Sequence, residues 1–130
     1  MKVLHHVFVY GTLRKGEVNH HFLTSANLLS DEAWTTGTLY DTGLGYPALL
    51  EKGTDHIYGE IYEVDDEVLA SLDVLEGYEV DGSENLYERK KILLNNDNEH
   101  TEAFTYYISP QNENMLLTKI ESGDWKQHNK

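Results

Sequence analysis

Cysteine is absent from the 130-residue chain, so no disulfide framework, thiolate zinc site or thiol nucleophile is open to it. Basic residues are scarce, ten Lys and Arg against 23 Asp and Glu, for a formal net charge of -13. A field of that sign repels nucleic acid and anionic membrane, and neither is expected as a partner. It also repels small anions, so a carboxylate-bearing ligand would need local donors to hold it. Long apolar runs are missing, and no stretch approaches the length of a membrane span. His5 and His6 interrupt the apolar start and no small-residue cleavage site follows, which makes the cytoplasm the expected compartment. No linker, internal repeat or low-complexity tract divides the sequence. A single domain over residues 1–125 is expected, large enough for its own core, with a loose tail at 126–130.

What is present alternates for the most part with period two. Residues 3–9 read as a strand, with Val3, His5, Val7 and Val9 on one face and Leu4, His6 and Phe8 on the other. Gly11 and Gly16 bracket a loop, and helical spacing through Val18, Phe22 and Leu29 predicts a helix over 17–29. Segments 33–41, 46–51 and 56–64 read as three further strands. The period then changes: Asp65 or Asp66 can cap a helix whose stripe is Val68, Leu69, Leu72 and Leu75, and Gly77 stops it. Residues 85–94 and 101–108 flank the turn Asn95-Asn96-Asp97-Asn98 and predict a hairpin. A short apolar segment at 115–120 and Ser122-Gly123-Asp124-Trp125 follow. Many strands and two helices predict an α+β domain built on a curved sheet or small barrel.

Two features carry potential chemistry. Glu76 falls about 50° from the centre of the apolar stripe. A carboxylate there is costly unless it is paired, hydrogen-bonded or protonated; the competing placement is a frayed last turn that releases it to solvent. Asp73 lies farther round, about 110° from that centre, at the stripe's edge. The second feature is Tyr10-Gly11-Thr12-Leu13. Glycine after a strand permits a sharp turn and close approach to the main chain, and successive N–H groups can cradle an anion. Its spacing fits neither a Walker loop nor a dinucleotide fingerprint, and an ordinary strand-to-helix turn is the competing reading.

The seven histidines raise the question of a metal. His5-His6 point to opposite strand faces and His20-His21 are not at i,i+4 spacing, so no metal is expected. No serine lies in a G-x-S-x-G elbow. Tyr46, Tyr87 and Tyr106 fall in predicted strands, where covering a half-buried sheet face is the ordinary role. Tyr87 and Arg89 share a face, and the arginine can either hold a ligand carboxylate or pair with a protein acid.

The stretches VYGTLRKG, NHHFL, YPAL, GEIYEV, LDVLEGYE, YERKKI, AFTYYI and SGDW occur in that order between residues 7 and 125. Together they resemble the γ-glutamylcyclotransferase-like superfamily, which includes the γ-glutamylamine cyclotransferases and AIG2-like proteins. The resemblance implies an α+β fold, a small mixed β-barrel with flanking helices. It implies a small-molecule γ-glutamyl substrate, cleaved by internal attack to 5-oxoproline and a free amine or amino acid without a cofactor. By the same resemblance Glu76 is the general acid/base. The backbone of Tyr10, Gly11, Thr12 and Leu13 binds the γ-glutamyl head, and Tyr46, Tyr87 and Tyr106 are pocket positions.

The chemistry suits the composition, because a γ-glutamyl amide carries its own nucleophile in the α-amine. The enzyme must fold the substrate and move protons, and one carboxylate can do the latter if partial burial raises its pKa from about 4.3 toward the working pH. The same pocket could serve a non-catalytic module that recognises γ-glutamyl or amino-acid-like ligands, or be incidental to a structural role. Release of 5-oxoproline separates these readings. The leaving group, an alkylamine, isopeptide, antibiotic precursor, amino acid or glutathione, is left open by the sequence, as is the oligomeric state. The acidic charge favours a neutral or cationic one.

Overall fold

The structure is a computed structural model that describes residues 3–96 and 99–128. Its strands are β1 (Leu4–Val9), β2 (Asn27–Asp41), β3 (Pro47–Asp65), β4 (Tyr87–Asn96), β5 (Glu99–Ile108) and the two-residue β6 (Thr118–Lys119). Helix α1 (Asp66–Leu75) joins β3 to β4, and a short helix α2 (Trp125–His128) follows β6. The sheet runs β3-β1-β5-β4-β2-β6, and a further pairing joins β3 to β2. The first five strands therefore form a closed ring, and β6 adds to the free part of β2. The β1–β5 contact is parallel and the other pairings are antiparallel. This is the α+β, mixed-barrel architecture expected from the sequence.

Alternation in β1 explains how the ring acquires two cores. Phe8 joins Leu39, Leu49, Ile57, Ile61 and Leu94 in a cluster fed by strands all round the ring. Val7 and Val9, on the opposite face, pack with Tyr62, Val64, Leu69 and Leu72 beneath α1. Both faces of β1 are thus covered at its C-terminal end, where the chain breaks into the Tyr10–Leu13 loop.

Three local expectations change. The helix predicted over 17–29 is only a 3-10 turn at His20–Leu23. Val18 and Leu29, two of its supposed core positions, are exposed, because Asn27 onward enters β2 and pairs with β3. Long-range pairing overrides the local period there. Segments 46–51 and 56–64 are not two strands but parts of the single strand β3. The register steps from Gly37↔Asp55 to Thr38↔Leu50, so Glu51–Thr54 form an excursion against β2 rather than a break. Tyr46 lies just before β3 in the preceding loop, not within a strand.

The hairpin of β4 and β5 forms in register from Tyr87↔Ile108 to Asn96↔Glu99, while its turn residues 97 and 98 lie outside the described residues. At the C-terminal end, residues 126–128 are not a loose tail but part of α2. Asp124 receives N–H bonds from Lys126 and Gln127, and His128 pairs with Asp41. Residues 129 and 130 lie outside the described set. No helix among the described residues is long and apolar enough to cross a membrane.

Candidate functional site

Helix α1 begins where Asp65 Oδ1 accepts the N–H of Val68 and ends at Glu76. There the Tyr78 N–H bonds to the Asp73 carbonyl and the Gly77 N–H to that of Val74, with Gly77 at φ 64. These are the two bonds of a Schellman motif, which places glycine at the left-handed position and fixes the residue before it. The Glu76 backbone is therefore held by a defined cap rather than frayed, and the residue is part-buried rather than solvent-facing.

Its side chain enters a cavity of about 190 Å³. Tyr10, Gly11, Thr12, Leu13, Tyr46, Tyr87 and Tyr106 line the same cavity, so the site positions implied by the resemblance converge on one space. Phe8, Val9, Pro47, Leu75 and Leu86 give it apolar walls, and among the described residues no Lys, Arg or His lines it. The Glu76 carboxylate makes no hydrogen bond or ion pair among the described residues. Burial pushes its pKa up from 4.5 to about 7, because an uncompensated charge is poorly solvated there.

Three of the four phenols around it, all but that of Tyr46, are committed elsewhere. The Tyr10 hydroxyl donates to the Tyr106 carbonyl at 2.6 Å, that of Tyr87 to the Pro47 carbonyl at 2.8 Å, and that of Tyr106 to Asp73 Oδ1 at 2.6 Å. Burial, the largest influence on each, raises all three phenol pKa values, and the Glu76 charge adds to it. They are neutral hydroxyls at any physiological pH.

The facing wall is the loop after β1. Gly11 packs so closely on Pro47 that a Cβ would lie 2.6 Å from Pro47 Cγ. Among the described residues, the N–H groups of Gly11, Thr12 and Leu13 reach no acceptor, whereas that of Arg14 turns back to the Gly11 carbonyl. Three successive donors without an acceptor beside a cavity are of the kind that can cradle an anion.

The loop is braced from behind. Arg14 is buried, with Nε 2.9 Å from Glu60 Oε2 and Nη1 2.8 Å from Asp124 Oδ1. Glu60 Oε1 also accepts the Lys15 N–H and the Tyr62 hydroxyl. Asn19 donates to the Thr12 hydroxyl and carbonyl, and His20 Nδ1 lies 3.0 Å from the Leu13 carbonyl.

Sequence reasoning missed these supports. Arg14, Glu60 and Asp124 each lie inside a recognised stretch, but only their distance in the fold shows that they meet. Asn19 lines the cavity without having been singled out. Arg89, left between two roles, pairs with Asp73 at 2.7 Å. His20 belongs to the loop support, while His5, His6 and His128 lie beside acids. No cluster of three or more potential metal ligands occurs among the described residues.

The fold is thus a closed α+β ring in which the Gly11–Leu13 loop and the unpaired Glu76 carboxylate line one pocket. The chain belongs to the family described as gamma-glutamyl cyclotransferase, AIG2-like, which it matches over residues 7–127. It is 41% identical over 123 residues to a gamma-L-glutamyl-butirosin B gamma-glutamyl cyclotransferase of Niallia circulans, covering 94% of this chain and 76% of that one. Among solved structures it resembles YkqA of Bacillus subtilis, with a TM-score of 0.78 at 32% identity over 98% of this chain, which spans 41% of YkqA. It also resembles an AIG2-like protein of Mus musculus, with a TM-score of 0.66 at 26% identity over 88% of this chain and 85% of that one.

Proposed function

We propose that the protein converts a γ-glutamyl amide to 5-oxoproline and a free amine, with Glu76 as the general acid/base. The observation that carries this reading is the unpaired Glu76 carboxylate, with a pKa of about 7, in a cavity facing three free N–H groups. The family and the similarity to the Niallia circulans enzyme support the reaction type.

The substrate binds with its α-ammonium toward Glu76, while the Gly11–Leu13 N–H groups take the α-carboxylate or the oxyanion that develops at the γ-carbonyl. Near pH 7 the α-ammonium, with a pKa of about 8, must lose a proton before it can attack. Glu76 accepts that proton, the α-nitrogen bonds to the γ-carbon, and a tetrahedral intermediate forms. Glu76 then protonates the departing nitrogen, the amide C–N bond breaks and the lactam is released. In all, the attacking nitrogen loses two protons and the leaving nitrogen gains two on becoming an ammonium; one carboxylate can carry both in succession. Holding the chain folded for five-membered ring closure supplies the rest, since proximity replaces an external nucleophile.

With no cation lining the cavity among the described residues, a leaving group bearing a carboxylate has no counter-ion there. An amine without a carboxylate is therefore the preferred leaving group. The test is mass spectrometry of products from γ-glutamyl amines, γ-glutamyl amino acids and glutathione, with Glu76→Gln as control. 5-Oxoproline from the amines and none from the variant is expected. Ligand-induced stabilisation without product would instead assign a binding module.

A further inference from the structure

Asp73 precedes Glu76 by one turn of the same helix, and its carboxylate bridges two partners behind the cavity wall. Arg89 Nη1 lies 2.7 Å from Oδ2, and the Tyr106 hydroxyl lies 2.6 Å from Oδ1. The Arg89 guanidinium is itself held over the ring of Phe104, at 4.6 Å, and that of Tyr78, at 5.1 Å. Arg89 and Tyr106 are cross-strand partners in the β4–β5 hairpin, so the three groups are fixed by one helix end and one ladder. An ionised carboxylate is acceptor-only and a phenol has a single proton. The Tyr106 proton must therefore point at Asp73, and its oxygen keeps only lone pairs for the cavity. Tyr87, whose proton goes to the Pro47 carbonyl, is in the same condition.

We propose that Asp73, seated by Arg89, is a positioning residue: it captures the Tyr106 proton, so that the phenol accepts from an ammonium in the cavity and does not donate to Glu76. The cavity is then polarised, with donors on the Gly11–Leu13 loop and acceptors at Glu76, Tyr87 and Tyr106. Tyr46, whose hydroxyl has no partner among the described residues, is the one uncommitted phenol, and a zwitterionic α-amino acid head is favoured in the sense that sets its ammonium toward Glu76. The identity of that ligand rests on the cyclotransferase reading; the capture of the proton rests on geometry alone. Withholding the phenol proton matters because a hydrogen bond to the ionised carboxylate would lower its pKa and weaken it as a base. The ionisable groups facing Glu76 in the cavity are Tyr10 from the end of β1, Tyr46 from the loop before β3, Tyr87 from β4 and Tyr106 from β5.

The test is the carboxyl titration of Glu76, read by carbon-13 NMR in the ligand-free protein. In Asp73→Asn, Arg89 takes the amide oxygen, the amide NH₂ turns to Tyr106, and the phenol proton is released toward Glu76, the carboxylate lining that cavity. The titration midpoint, and the acid limb of kcat/KM with it, should fall by about one pH unit. The fall should vanish when Tyr106→Phe is added, because the displaced proton is then gone. An unmoved midpoint in Asp73→Asn overturns the proposal. So does a fall that persists in the double variant, since the uncompensated Arg89 charge would then be its cause. Should Asp73→Asn fail to fold, Tyr106→Phe alone decides: the midpoint should stay in place and KM for a γ-glutamyl amine should rise about tenfold. A raised midpoint, or an unchanged KM, overturns the proposal. A wild-type protein that releases no 5-oxoproline would remove the cyclotransferase reading, while the titrations still decide the role of Asp73.

Discussion

Replacing Glu76 by Gln should abolish turnover and, at alkaline pH, make the protein more stable. In the folded protein the Glu76 pKa rises from 4.5 to about 7, so between those values the folded state binds a proton that the unfolded state has lost. The contribution of this group is fully present below about pH 4.5 and is lost as pH rises through about 7. At about 1.36 kcal/mol per pH unit, holding the ionised side chain in the cavity costs up to about 3 kcal/mol by pH 8. Glutamine has the same shape and never ionises. The stability difference between variant and wild type should thus be near zero at pH 4.5 and grow to about 3 kcal/mol at pH 8. In a domain of this size that is a rise of roughly 10 °C in Tm. Thermal or urea unfolding of both proteins across this pH range reads the difference directly, and shared contributions of the other carboxylates cancel. The kinetic counterpart is a rising limb of kcat/KM near pH 7 from Glu76 and a falling limb near pH 8 from the substrate amine. A stability difference that does not change with pH would refute the claim that the carboxylate is desolvated and unpaired.

Two other substitutions probe the loop. Gly11→Ala puts a methyl group 2.6 Å from Pro47 Cγ; overpacking of this kind costs about 1–3 kcal/mol, and the displaced donors should lower kcat/KM for γ-glutamyl amines at least tenfold. Chemical denaturation and product release measure the two effects, and a fully active, fully stable variant would contradict the close approach. Arg14→Met leaves the buried Glu60 carboxylate without its counter-ion. Removing one partner of a buried pair costs about 3–5 kcal/mol, so urea unfolding should show a large loss of stability; a loss below about 1 kcal/mol would mean that the brace is dispensable.

How much of this was legible depended on the range of the interaction that fixes each part. Helix α1 follows from a local stripe with a capping Asp and a terminating Gly, and the sequence contains all of that. Glu76 could be singled out because a carboxylate near an apolar stripe conflicts with its surroundings. Whether it is buried depends on Tyr10 arriving from the loop after β1 and Tyr87 and Tyr106 from β4 and β5, which no local pattern encodes. Residues 17–29 misled for the complementary reason. Their helical spacing is real, but the pairing of Asn27 with Glu63 is worth more to the fold than a helix with Val18 and Leu29 on its buried side. The paired state of Arg89 was also open, since 23 acids in the sequence offered it partners and only the fold selects Asp73.

The brace behind the loop ties together residues that are far apart along the chain. Arg14 and Glu60 are separated by 46 positions, and Arg14 and Asp124 by 110. Closing spans of that length is the slow part of folding. During synthesis the loop leaves the ribosome more than a hundred residues before one of its anchors. The segment that would grip a ligand is thus made well before it can be tied in place, so that competence to bind arrives with the closure of the domain rather than ahead of it.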